Sequence, residues 1–144
     1  MRTLAFRLTP GVDLKAELAR LTEANGLRAA CIVTCVGSLS QTRLRMPGAS
    51  GDTEVITTFL EPMEIVSLSG TLCPAGLHLH ISLSRRDGSC VGGHLVQGCI
   101  VHTTAELVIG ELEDVEFDRP PDAATGYSEL RIRSRRTETG PSAR

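Results

Sequence analysis

From residue 63 onward the chain is written almost entirely in strand. Apolar runs rich in valine, isoleucine and leucine occupy residues 63–72, 77–84, 90–96 and 100–109, and glycine or proline punctuates each gap. The gaps are too short for crossover helices, so neighbouring runs must pair antiparallel. Upstream, residues 3–8 alternate as a first strand and Pro10-Gly11 makes a turn. Asp13 then opens a helical run in which Leu14, Leu18 and Leu21 share one face, and Asn25-Gly26 closes it. Residues 29–36 form a continuous apolar run, as a buried strand would, and residues 41–46 read as its hairpin partner. A Gly/Ser/Pro loop at 47–52 precedes a weaker strand at 54–59. Residues 115–117 extend or follow the last long strand, and 128–132 alternate as a final one. Beyond Arg133 the chain lacks apolar anchors, which makes 1–133 the domain and 134–144 a flexible tail. The expectation is a single α/β domain of the α+β type: one N-terminal helix flanking a large, mostly antiparallel sheet.

Aromatic residues make up only 3% of the 144 residues, so the core must be built from Leu, Val, Ile and Ala. With 15 basic against 17 acidic residues the net charge is -2, which offers no general electrostatic attraction for nucleic acid. No apolar run approaches the ~20 residues of a membrane span. The first residues alternate without the apolar core of a signal peptide, and a cytoplasmic protein with no membrane association is expected. Five cysteines, an odd number without CxxC spacing, read as reduced small hydrophobes.

Three of the four histidines fall in one short stretch: Gly-Leu-His78-Leu-His80-Ile-Ser, then Val-Gly-Gly-His94-Leu, with Arg86-Asp87-Gly88 between them as a turn. His78 and His80 are two apart, so on a strand both face the same way. A three-residue loop with Gly88 left-handed pairs Arg85 with Ser89 and puts His94 opposite His80. A two-residue turn at Asp87-Gly88 would instead send His94 to the other face, unless Gly92-Gly93 forms a bulge. Three imidazoles on one face are the donor set of an open zinc-like site.

The remaining polar residues give weaker signals. His102, Thr104 and Glu106 alternate against Val101, Thr103, Ala105 and Leu107. Glu106 is the candidate general base or imidazole-orienting carboxylate, with a paired carboxylate in the sheet as the plainer reading; Glu64 is a weaker candidate. His102 reads as a surface histidine or a pocket wall. Gly92, Gly93 and Gly98 precede no helix start, which argues for close strand packing rather than a phosphate cradle. The basic runs Arg85-Arg86 and 131–136 read as solvated surface. The alternating serines sit on no nucleophile elbow.

Several of these segments closely resemble the PPC (plants and prokaryotes conserved) domain. They are Glu64-Ile65-Val66-Ser67-Leu68-Ser69-Gly70, His78-Leu-His80, Asp87-Gly88, Gly92-Gly93-His94 and Thr103-Thr104-Ala105-Glu106. The similarity reaches upstream to Pro10-Gly11-Val12-Asp13-Leu14 and Val36-Gly37-Ser38, and downstream to Arg119 and Thr125-Gly126-Tyr127. The resemblance implies an α/β domain that associates as a homotrimer, with the HxH and GGH histidines binding a divalent metal, zinc foremost. Those positions are His78, His80 and His94 here. Plant members follow AT-hook motifs and generally lack the histidines; this chain has the histidines, no Arg-Gly-Arg-Pro hook, and Glu61-Pro62-Met63 where plant members carry Gly-Arg-Phe. The first expectation is therefore a metal-binding homotrimeric module. A DNA-binding regulator and a metal-dependent hydrolase or lyase using Glu106 stand as alternatives, and nothing beyond the metal and that base marks an enzyme.

Overall fold

The chain folds around leucine. Leu14, Leu18, Leu21 and Leu27 at one end, and Leu39, Leu44, Leu72, Leu79, Leu83 and Leu95 on the strands, are all buried in one core. The computed structural model describes residues 1–48 and 55–135. Ten elements run in order: β1 (Arg2–Leu8), α1 (Leu14–Ala24), β2 (Ala30–Arg45), β3 (Ile56–Phe59), β4 (Met63–Cys73), β5 (Gly76–Ser84), β6 (Cys90–Leu95), β7 (Ile100–Glu111), β8 (Val115–Asp118) and β9 (Arg131–Ser134). Parts of the loop expected at 47–52 and of the strand expected at 54–59, and residues 136–144 of the expected tail, lie outside the described residues. The final strand runs to Ser134, one residue past the expected domain boundary.

Seven strands form one antiparallel sheet in the order β1-β7-β2-β4-β5-β6, with β3 on β2. The sheet rolls until β6 returns to the far end of β2, pairing Leu44 with Leu95 and Arg45 with His94. Strands β8 and β9 form a separate ribbon. Helix α1 begins where expected: the Asp13 carboxylate caps the Ala16 amide at 3.1 Å. Its second oxygen accepts from the Gly98 amide at 2.6 Å, and Lys15 Nζ donates to the Leu95 carbonyl at 3.0 Å. The helix start thus fixes the β6–β7 turn, and with it the end of the strand that carries His94.

One expectation needs correction. Residues 29–36 and 41–46 are not two arms of a hairpin but parts of a single 16-residue strand, β2. Gly37, between the two runs, serves a close approach: a Cβ there would lie 2.0 Å from the Thr104 carbonyl oxygen. Register shifts flank this point, so β7 crosses β2 where no side chain stands in the way.

Candidate metal centre

The histidines are positioned by the β5–β6 hairpin and its neighbours. Arg85 N donates to Ser89 O at 2.8 Å and Gly88 N to Arg85 O at 3.0 Å, closing a three-residue loop with Gly88 at φ 82°. The ladder then runs from Ser84 opposite Cys90 to His80 opposite His94, the odd-loop register anticipated from the sequence. Gly92 and Gly93 let β6 fit between β5 and the end of β2, because Cβ atoms there would lie 2.8 Å from Ile81 O and 3.0 Å from Arg45 O. On the other side of β5, His78 stands opposite Thr71 and His80 opposite Ser69. Gly70 lies between those two partners.

Leu79, Ile81 and Leu83 point into the core, so His78 and His80 emerge on the outer face of the sheet. There they meet His94. The three ring centroids are 5.1, 5.1 and 5.4 Å apart, and one nitrogen from each ring lies within 4.8 Å of the other two. His78 Nε2 and His80 Nε2 are separated by 3.2 Å. Two imidazole nitrogens bound to zinc at ~2.0–2.1 Å sit about 3.3 Å apart across a tetrahedral edge. The His78–His80 pair therefore has the spacing of two ligands on one metal ion, and His94 lies close enough to supply a third donor once its bond to Arg45 is released.

The surroundings keep the rings unprotonated, while the same positive charges oppose a bound cation. Burial, the positive charge of Arg45 and then that of Lys15 push the His94 imidazole down to about 4. Burial, followed by the neighbouring His80 and Arg119, also lowers His78. Both rings are held in the neutral form that a metal requires. Arg45 Nη2 lies 3.3 Å from His94 Nδ1. Because a guanidinium can only donate, Nδ1 accepts and the ring proton sits on Nε2. Ligation at either nitrogen leaves the proton on the other or displaces the guanidinium, so a metal and the Arg45 bond exclude one another.

Beside the histidines is a cavity of about 230 Å³, walled by Arg45, His78, His94, Arg119, Tyr127 and Glu129 among others. Its far wall is a flap, residues 119–130, closed by Asp122 N to Tyr127 O at 2.8 Å and Glu129 N to Pro120 O at 3.1 Å. Sequence reasoning did not assign Arg45, Arg119, Tyr127 or Glu129 to the site. The only signal was that Arg119 and Tyr127 fell within the family resemblance. Glu106 is not part of this wall. It lies exposed on β7, opposite Arg7 and Val36, with β2 and β4 between it and β5. The carboxylate brought to the histidines is Glu129. His102 and Glu64 are exposed and outside the cavity.

The sequence family model for the Plants and Prokaryotes Conserved (PCC) domain matches residues 1–113. The chain is 45% identical over 132 residues to the bifunctional protein GlmU of a Synechococcus strain, spanning 92% of this chain and 20% of that protein. It is 33% identical over 108 residues to AT-hook motif nuclear-localized protein 10 of Arabidopsis thaliana, 69% of this chain and 30% of that protein. The chain thus spans less than a third of these curated relatives. Among solved structures, a hypothetical protein from Salmonella cholerae-suis superposes with a TM-score of 0.87 at 44% identity, over 93% of this chain and 94% of that one. The metal-containing protein AF0104 from Archaeoglobus fulgidus superposes at 0.79 with 26% identity, over 90% and 93%.

Proposed function

The chain belongs to the Plants and Prokaryotes Conserved domain family, and we propose that it holds one divalent metal ion, zinc foremost, in a cytoplasmic homotrimer. The observation that carries the metal reading is the convergence of His78, His80 and His94, with 3.2 Å between two Nε2 atoms. A relative at 26% identity, AF0104, is itself a metal-containing protein. Imidazole suits zinc, copper, iron and nickel alike, and three neutral donors leave one position open as in catalytic rather than structural sites. The bound ion would supply Lewis acidity at that position.

The trimer is supported by uncovered apolar surface. Val33, Val36 and Val66 are each more than half exposed on the outer faces of β2 and β4. A reducing compartment suits five free cysteines, with the thiols of Cys35 and Cys99 pushed up to about 12 and about 11 by burial. No helix among the described residues is long and apolar enough to cross a membrane.

DNA binding is the second reading, favoured by the likeness to an AT-hook protein. Against it, the densest basic run is partly paired with carboxylates. Arg131 and Arg133 pair with Asp118, and Arg135 lies 3.9 Å from Glu116, which also pairs with Arg28.

Metal analysis of protein purified without a histidine tag tests the reading. One ion per chain is expected, and none in His80→Ala, because His80 lies beside His78 and opposite His94. Full metal content in that variant refutes the three-histidine site.

A further inference from the structure

Arg45 touches the histidine cluster and the flap with the same guanidinium. It stands directly opposite His94 where β2 meets β6, so the two side chains leave the sheet on one face. On one side Nη2 donates to His94 Nδ1 at 3.3 Å. On the other, the guanidinium carbon lies 5.5 Å from the centre of the Tyr127 ring, within the range of a cation–π contact. Tyr127 is held in the flap's own turn, where its carbonyl accepts from Asp122 N at 2.8 Å and its amide donates to Thr125 Oγ1 at 3.3 Å. The flap thus carries the ring, and Arg45 joins that ring to the sheet beside the histidines. The Arg45 backbone is held by its pairing with His94, and β6 packs so closely that a Cβ on Gly93 would lie 3.0 Å from the Arg45 carbonyl oxygen. Release of His94 therefore falls to the Arg45 side chain. Its guanidinium is one rigid plane, so turning Nη2 away from Nδ1 also moves it over the ring.

We propose that Arg45 couples the metal to the flap: an ion that takes His94 displaces the guanidinium from Nδ1 and from the Tyr127 ring, and so frees that edge of the flap. This rests on the metal reading above and names a control built into the same site. Ligation by His94 and the Arg45 bond exclude one another, and a divalent ion at the histidines repels the guanidinium as well. What loosens is the wall of the cavity itself, since Arg45 and Tyr127 both line it. The coupling runs both ways by thermodynamic necessity. Whatever weakens the hold of Arg45 on Tyr127 or on His94 must tighten the metal.

The chain contains one tyrosine and no tryptophan, so its ultraviolet emission reports on Tyr127 alone. The untagged full chain is titrated with zinc against a competing chelator, which gives the affinity, and quenching by acrylamide gives the exposure of the tyrosine. In the wild type, quenching should rise saturably as one equivalent of zinc binds. Arg45→Met keeps the aliphatic stem and loses the guanidinium. It should bind zinc about tenfold more tightly or better, the fold-change of one charge-assisted hydrogen bond, and its tyrosine should quench readily with or without zinc. Tyr127→Leu removes no ligand, yet it should tighten zinc about threefold, the fold-change of one exposed cation–π contact. The double variant should bind no more tightly than Arg45→Met, because both changes act on one contact chain. If Arg45→Met melts well below the wild type, the zinc affinity of Tyr127→Leu and the wild-type quenching decide alone. Zinc bound with no change in quenching, or unchanged affinity in Tyr127→Leu, overturns the coupling while leaving the metal reading standing. Weaker zinc in a normally folded Arg45→Met overturns it too, since Arg45 would then support His94 as a ligand. Failure of the wild type to bind zinc overturns the metal reading and this inference with it.

Discussion

Gly70 is the position where backbone chemistry most directly controls the histidines. It sits on β4 with a φ of 138°, and an added Cβ would lie 2.0 Å from the His78 carbonyl oxygen and 2.9 Å from the Leu79 Cα. Carbon and oxygen in favourable contact stay about 3.3–3.6 Å apart, so Gly70→Ala must move the β5 backbone by more than about 1 Å. Ladder bonds near 2.9 Å then stretch beyond hydrogen-bonding range. The positive φ costs about 1–3 kcal/mol and the overpacking about as much again, giving about 2–6 kcal/mol. For a chain of this size that lowers the melting temperature by roughly 8–20 °C. Gly11→Ala is the control, since Gly11 also has a positive φ of 84° but nothing within 4 Å of its Cβ. It should show the strain without the clash. Thermal melts of the metal-free proteins and metal content after reloading give the two readouts. Gly70→Ala should lose both stability and stoichiometric metal, whereas Gly11→Ala should keep its metal. A Gly70→Ala protein with unchanged melting temperature and full metal content would refute the argument that this contact seats the β5 histidines.

Metal should remain bound at pH 6 and be released between about pH 5 and pH 4, because His94 takes up a proton only near 4 and His78 titrates below the ordinary imidazole range. The sign follows from the ligand form: protonation removes the lone pair, so falling pH can only weaken binding, and release already complete at pH 6 would contradict the shifted imidazoles. Light scattering should give about 46 kDa, three times the 15.4 kDa of one chain, and Val36→Asp should reduce it; a wild-type monomer at micromolar concentration refutes the trimer. Duplex DNA should bind weakly, without sequence preference and with strong salt dependence, because Arg131 and Arg133 of β9 are already engaged by Asp118 and Arg135 lies beside Glu116. Tight, sequence-selective binding in a mobility-shift titration at physiological salt would promote the regulatory reading.

What could be read from the sequence was local. Period-two alternation located the strands, Asp13 and Asn25 bounded the helix, and the Arg86-Asp87-Gly88 loop narrowed the hairpin to two registers, of which the structure has the one that brings His94 opposite His80. Sites assembled over long range could not be read. Glycine in a strand signals either a turn or a close crossing, and nothing local distinguishes the two, so β2 read as a hairpin when Gly37 was clearing a path for β7. Glu106 shares a face with polar neighbours on its own strand, but alternation does not say which strand lies beside it. Arg119 and Glu129 reach the histidines only because residues 119–130 fold back over β5, a tertiary contact without periodicity. The resemblance supplied the family and touched Arg119 and Tyr127, but it gave no sign of Arg45 or Glu129.

The most direct test of the central claim is X-ray absorption at the zinc edge on stoichiometrically loaded, untagged protein. The account predicts three imidazole nitrogens at ~2.0–2.1 Å plus one light-atom ligand, and no stoichiometric zinc in His80→Ala. A first shell containing sulfur at ~2.3 Å, or one unchanged by that substitution, would contradict it.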